Sequence, residues 1–386
     1  MIRTLAVEGY RSLRSLVVPL GALTVVTGPN GSGKSSLYRA LRLLAACSMG
    51  GAVAALAQEG GLRSTLWAGP ETVARRVASG EFAVQGTARS APVALRLGFS
   101  GDEFGYAIDF GLPIPSQTMF GLDPEIKAEA VFSGAVLRPA TALTERHGPA
   151  MRMRDDDGAW RAHDHRLRPF DSMLAEFADP RLTPELLELR ERMRSWRFYD
   201  HFRTDAGAPA RASRLGTRTP VLAHDGSDLA AALQTIREQG RSDELDHAVS
   251  AAFPGAHLEI TGTDGWFSLG MRQPGMLRPL AAAELSDGTL RYLLWIAALL
   301  STRPPALLVL NEPETSLHPD LIEPLGQLIA AAAERTQTVV VSHSPRLIAA
   351  LDAAGASRIE LAKSNGETSV VDQGLLDAPA WQWPKR

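Results

Sequence analysis

A chain of 386 residues is longer than a single hydrophobic core usually supports, so one large domain with insertions, or two lobes, is expected. Apolar residues make up 45% and charged residues 22%, the balance of a folded, soluble protein without a polar low-complexity tract. The formal net charge of -3 gives no global basic field for nucleic acid, although a local patch is compatible with it. Cys47, the only cysteine, excludes an internal disulfide and a cysteine-based metal cluster.

Met1 to Glu8 lacks a basic region followed by a long apolar core, and no later run reaches ~18 uninterrupted apolar residues. The expected compartment is the cytoplasm, with no membrane partner. Ile2 to Val7 alternates as a short strand, Tyr10 to Arg14 reads as a polar turn, and Leu23 to Thr27 is a β-branched strand running into glycine. From Ser35 the apolar residues fall at helical spacing as far as about Cys47. Short alternating runs, such as Val93 to Phe99 and Tyr106 to Leu112 joined by the turn at Ser100 to Glu103, predict an antiparallel sheet. The acidic run Asp155, Asp156, Asp157 lacks the further spaced carboxylates of a calcium loop and reads as an exposed turn. Pro184 to Tyr199 and Asp228 to Gln239 predict helices on either side of a Gly/Arg/Ala loop, making the middle mostly helical. Leu285 to Leu300 is again helical, and the continuous apolar runs Ala306 to Leu310 and Thr338 to Val341 predict buried strands of a parallel sheet.

The order of these elements predicts an α/β fold of the phosphate-loop type with a parallel central sheet. Residues 1–50 and 281–386 would form its core, 51–170 an antiparallel β subdomain, and 171–280 a mainly helical insertion.

Gly28, Pro29, Asn30, Gly31, Ser32, Gly33, Lys34 and Ser35 fit the phosphate-binding loop, set after a strand and before a helix as its mechanism requires. Glycines let backbone N–H groups wrap around phosphates, the helix start adds a favourable dipole, and Ser36 continues into that helix. Lys34 would meet the β and γ phosphates of a nucleotide, and the Ser35 hydroxyl would ligate Mg²⁺. The loop alone leaves kinases, GTPases and many ATPases open. The bland alternative is a flexible Gly/Ser turn.

Asn311, Glu312, Pro313 and Glu314 follow a buried strand, at the edge where ligands of α/β sheets collect. Glu312 is placed to orient or deprotonate a water and Asn311 to hold a metal's hydration shell; acidic residues near a helix dipole are the other account. Ser286 and Gly288 begin an apolar helix, where Ser286 reads as an N-cap whose exposed N–H groups could also bind a γ-phosphate. His343 follows the last buried strand and could reach the same phosphate.

Taken in this order, the motifs resemble those of ABC-class ATPases. They are most similar to the stand-alone predicted ATPases related to RecF and the structural maintenance of chromosomes (SMC) proteins, including the ATPase part of the overcoming-lysogenization-defect (OLD) nucleases. Gly9 to Leu13, Leu285 to Arg291, Asn311 to Pro319 and Ser342 to Ser344 carry the likeness. The resemblance implies a homodimer that sandwiches two ATP molecules, with Glu312 as catalytic glutamate, His343 as switch histidine, and Leu317 to Pro319 crossing the interface. It also suggests Gln58 as the glutamine that contacts Mg²⁺. Asn311 stands where many ABC ATPases have Asp, removing one negative charge near the metal. The chain ends about forty residues past His343, well short of a typical domain, so no nuclease activity is expected within it.

Three functions fit. The first is an ATP-driven switch in DNA repair or anti-phage defence, acting on DNA or on a partner effector such as a nuclease or toxin. The second is a module that holds ATP with little hydrolysis, to which Asn311 points. The third, a transporter ATPase, is disfavoured because about 250 positions separate Lys34 from Ser286, far more than its helical subdomain would need.

Overall fold

The computed structural model describes residues 1–69, 93–177, 179–374 and 377–386. They fall into two compact units: Met1–Gly21, Thr27–Trp196 and Ile359–Arg386 form one, and Ala22–Val26 with Arg197–Arg358 the other.

The first unit is built on an eight-stranded sheet in the order β2-β1-β4-β5-β6-β7-β8-β9, antiparallel throughout. Its strands are β1 (Ile2–Tyr10), β2 (Leu13–Pro19), β4 (Leu95–Gly101), β5 (Phe104–Gly111), β6 (Glu125–Ser133), β7 (Ala142–His147), β8 (Ala150–Arg154) and β9 (Trp160–His163). Burial alternates along β7 and β8, as a strand covered on one face requires, whereas β5 is buried along almost its whole length. Helix α1 (Lys34–Cys47) packs against β1, β4 and α5 (Pro184–Ser195), and α2 (Ala52–Gln58), α3 (Leu62–Thr65) and α4 (Met173–Glu176) complete the unit's helices among the described residues. A buried ion pair fastens the segment before α4 to the sheet. Arg146 donates to Glu129 at 2.9 Å and to the carbonyls of Gly148, Arg168 and Asp171, while Glu129 also accepts from Tyr106, Ser172 and the Met173 amide. Every polar atom of this pair finds a partner, which is the condition for tolerating buried charge. Trp381 and Trp383 pack on Ala107, Ala130 and Phe132, and Arg386 pairs with the fully buried Asp109.

The second unit holds four parallel strands in the order β10-β15-β16-β3: β10 (Arg197–Tyr199), β15 (Leu307–Asn311), β16 (Gln337–Val341) and β3 (Leu23–Thr27). Helices α6 (Leu229–Ile236), α7 (Ser242–Ala252), α8 (Asp287–Leu299), α9 (Ile322–Ala333) and α10 (Pro345–Ala353) surround them. Trp295, Tyr199 and Phe202 form the aromatic centre of the core. A hairpin of β12 (His257–Thr263) and β13 (Trp266–Arg272) is flanked by β11 (Arg214–Leu215) and β14 (Leu280–Ala281).

The phosphate-loop strand thus joins the late strands in one parallel sheet, and the acidic run 155–157 is an exposed turn whose Asp155 accepts from the Asp157 and Ala159 amides. One expectation needs correcting. Leu13–Pro19 is a strand, hidden in the sequence because Arg14 and Ser15 interrupt the alternation that buries Leu13, Leu16 and Val18. Beside its helices, 171–280 also carries β10 to β14, which the sequence reading did not place. β10 in particular supplies a strand of the parallel sheet, and β1 and β2 belong with the antiparallel one, so the compact units cut the chain elsewhere than at 50, 170 and 280.

Candidate functional site

In the first unit, the loop from Gly28 to Gly33 is shaped by three glycines with positive φ: Gly28 at 141°, Gly31 at 77° and Gly33 at 109°. A β-carbon on Gly28 would overlap the Leu361 carbonyl oxygen, and one on Gly33 the Thr368 hydroxyl, so glycine is required at both for space as well as for φ. Thr368, on β18 (Glu367–Val370), donates to the Ser32 carbonyl at 2.8 Å and supports the loop from behind. Helix α1 starts at Lys34 behind Gly33, with no side-chain cap and no acidic residue in its first turn, which leaves its first N–H groups and positive dipole end for an anion. The Ser32 hydroxyl is buried without a partner among the described residues. Lys34, 6% exposed, folds back to donate to the carbonyls of Gly28 at 2.7 Å and Pro29 at 3.1 Å. Asn30 and Ser35 are exposed and Ser36 half-buried. Gln58 ends α2, exposed and without a side-chain hydrogen bond; its neighbour Glu59 is the residue engaged there, accepting from Tyr10 and Arg11.

In the second unit, the carboxyl ends of β15 and β16 assemble the other group. Asn311 closes β15, and Glu312 follows with φ 49°, a conformation that non-glycine residues adopt at a cost and that clusters at functional sites. Its amide donates to the Val341 carbonyl at 2.8 Å, which holds the turn while leaving the carboxylate 40% exposed. His343 places Nδ1 3.5 Å from Glu312 and 3.8 Å from Glu314. Glu314 is buried: one oxygen accepts from the Ser342 hydroxyl at 2.6 Å and from the His343 and Ser344 amides at 3.2 Å, and the other has no partner. Glu314 therefore shapes the His343 turn, whereas Glu312 is open to water.

The start of α8 abuts the loop after Glu314. The Ser286 hydroxyl caps the helix by accepting from the Thr289 amide, and a β-carbon at Gly288 would lie 3.5 Å from the Ser316 carbonyl oxygen. Arg291, from the same helix, is buried and donates to the Thr315 carbonyl at 2.7 Å and to Phe202 and Thr204 at 3.2 Å. Burial lowers its pKa from the ordinary arginine value. Arg211 ties the approach to α8, reaching the carbonyls of Ala282, Ala283 and Leu285 and the Asp287 carboxylate at 2.6 Å.

Within the second unit, then, Asn311, Glu312 and His343 meet at one strand edge, and Ser286 and Gly288 border the loop that leaves it. Sequence reasoning missed Asp200, which accepts a 2.5 Å hydrogen bond from the Asn311 amide. It also gave no role to Glu314, Arg211 or Thr368. Glu314 was within reach, two positions past Glu312, but Asp200 lies 111 residues from its partner and nothing local marks it.

Among the described residues no three His, Cys, Asp or Glu side chains form a metal cage. Mg²⁺ needs none, since it keeps several waters and takes one or two protein oxygens plus substrate phosphates. The groups present fit that habit: among the described residues the Asn311 side-chain oxygen and one Glu314 oxygen are buried without partners.

A family model described as "AAA domain, putative AbiEii toxin, Type IV TA system" matches residues 23–349. A stretch of 44 residues is 43% identical to an OLD nuclease of Thermus scotoductus, covering 11% of this chain and only 8% of that protein's length. The chain also aligns over 98% of its length with 99% of an SMC head crystallised with the C-winged helix domain of ScpA, at TM-score 0.50 and 13% identity. An SMC head domain from Thermotoga maritima aligns at TM-score 0.46 and 15% identity, over 97% of this chain and 99% of its own. The first of these structures shows the fold, that of an SMC head. The family match runs from β3 to α10, and the chain belongs to that AAA-domain ATPase family.

Proposed function

We propose that the chain binds ATP with Mg²⁺, hydrolyses it, and dimerises around two ATP molecules. It would act as a switch on DNA or on a partner effector such as a nuclease or toxin, in DNA repair or anti-phage defence. The observation that carries hydrolysis is the pairing of an exposed Glu312, held in a strained backbone conformation, with His343 3.5 Å away. A water beside Glu312 can pass its proton to the carboxylate as its oxygen attacks the γ-phosphorus and the bond to the bridging oxygen breaks, releasing ADP, and His343 can donate to the phosphate oxygens on which charge collects. Binding follows from the phosphate loop. Lys34 holds only neutral carbonyls of its own loop, and a polyanion offers it stronger, charge-assisted bonds. Ser35 and Asn311 would offer oxygens to Mg²⁺, which would offset the negative charge of the phosphates. Ser286 and Gly288 would meet the γ-phosphate of the ATP held by a second copy. Among the described residues no helix is long and apolar enough to cross a membrane.

Paired variants test this reading. Lys34→Ala is expected to weaken ATP binding at least 100-fold in a calorimetric titration, because a compact cation contacting two phosphates is lost. Glu312→Gln is expected to keep ATP affinity, lose phosphate release by at least 100-fold and accumulate as an ATP-bound dimer by light scattering. Unchanged turnover in Glu312→Gln removes the catalytic assignment. The second reading, a binding module with little hydrolysis, rests on Asn311 in place of an acid, and a wild-type chain that binds ATP but releases no phosphate would favour it.

A further inference from the structure

The missing charge at position 311 has a replacement one strand away. β10 and β15 run parallel with Tyr199 opposite Leu310, so the next residues, Asp200 and Asn311, face each other as both strands end. The Asn311 amide nitrogen donates to Asp200 at 2.5 Å, which turns the Asn311 oxygen the other way, where it is buried without a partner among the described residues. Asp200 is exposed and makes no ion pair among the described residues. Asp205 and Asp287 in the same unit are by contrast paired with Arg203 and Arg211. An unpaired carboxylate, an orphaned amide oxygen and Glu312 thus share one sheet edge, an all-oxygen set that suits a hydrated hard cation. An acid at both 200 and 311 would bring two carboxylates within hydrogen-bond distance, where they cannot both ionise cheaply; an amide at one of them keeps a single charge and adds a bond.

We infer that Asp200 supplies the carboxylate that position 311 lacks, accepting hydrogen bonds from the waters around Mg²⁺, with Asn311 as the positioning residue that orients it. This rests on the ATPase reading above and names a residue of that site. The experiment uses Mn²⁺ in place of Mg²⁺ and a non-hydrolysable ATP analogue, with Mn²⁺ affinity read by electron paramagnetic resonance on the full chain. Nucleotide binding in EDTA is measured separately with a fluorescent analogue. Asp200→Asn is expected to weaken Mn²⁺ about tenfold, the scale of losing an outer-sphere partner, and to leave metal-free nucleotide binding unchanged. The exchanged pair, Asp200→Asn with Asn311→Asp, restores one carboxylate and one amide and is expected to recover to within about threefold of wild type. Wild-type protein that takes up no analogue overturns the ATPase reading and this assignment with it. If the protein takes up nucleotide but Asp200→Asn keeps its Mn²⁺ affinity, or the exchanged pair binds no better than Asp200→Asn, the assignment alone is overturned.

Discussion

The phosphate loop and the acidic strand edge are built from different materials. Between Gly28 and Gly33 the groups proposed to meet phosphate are backbone amides: three positive-φ glycines set their path and Thr368 supports the Ser32 carbonyl. At the ends of β10, β15 and β16 the working groups are side chains, and backbone amides brace those: Glu314 is held by the amides of His343 and Ser344, and the Glu312 amide is tied to Val341. The backbone-built stretch from Gly28 to Gly33, as distinct from the Lys34 side chain that follows it, should tolerate changes of charge and fail when a β-carbon is added. A side-chain-built site should do the reverse.

The largest effect that would break this contrast is expected in the loop. Gly28→Ala puts a methyl group into the Leu361 carbonyl oxygen, a backbone atom that cannot rotate away, at a φ only glycine adopts readily. A loss of about 3 kcal/mol in urea unfolding is expected, from strain and overpacking together. Gly31→Ala has the same kind of φ but nothing within 4 Å of the new atom, so about 1 kcal/mol is expected. Equal losses at the two positions would mean that space does not matter there and that only φ does.

A smaller effect is expected from Glu314→Gln, which preserves shape and removes charge. One Glu314 oxygen accepts from three donors, and bonds to a charged acceptor are worth more than bonds to a neutral one, so about 1.5 kcal/mol should be lost. Amide hydrogen exchange at His343 and Ser344 should quicken, and unchanged protection there would show that the turn is held by its backbone after all.

The same contrast explains what the sequence made legible. A backbone-built loop must write its glycines into adjacent positions, so the segment from Gly28 to Ser35 announces itself, and the strand and helix around it confirm the register. Glu312 and His343 could be named because each follows directly on a continuous apolar run that marks the end of a buried strand. Asp200 could not, because β10 is only three residues long and its pairing with β15 depends on tertiary contacts that no local pattern encodes. The hairpin of β12 and β13 was missed for a related reason. Burial along β13 is mostly partial, so its sequence lacks the clean apolar alternation of a strand with one covered face.

The smallest effect is a matter of pH and lies just ahead of α8. Glu284 accepts from Arg278 through two bonds of 2.7 Å and from the Ala281 amide at 2.9 Å. Those bonds, Arg278 first, hold its carboxyl down to about 2 from an ordinary 4.5. Because the folded value is depressed, the stability this group contributes is present above about 4.5 and lost as pH falls towards about 2. The pair is exposed, so solvent screening keeps the contribution small, and the direct readout is the titration itself. Carboxyl carbon shifts are expected to show Glu284 titrating near 2, and Arg278→Ala to move the midpoint up towards the ordinary value, with the Ala281 amide keeping part of the depression. The phosphate loop, which contains no carboxylate between Gly28 and Ser36, should show no change in its amide shifts over the same range. A midpoint that stays near 2 in Arg278→Ala would mean that backbone, not side chain, holds this carboxylate, and the contrast between the two regions would then fail at the approach to α8.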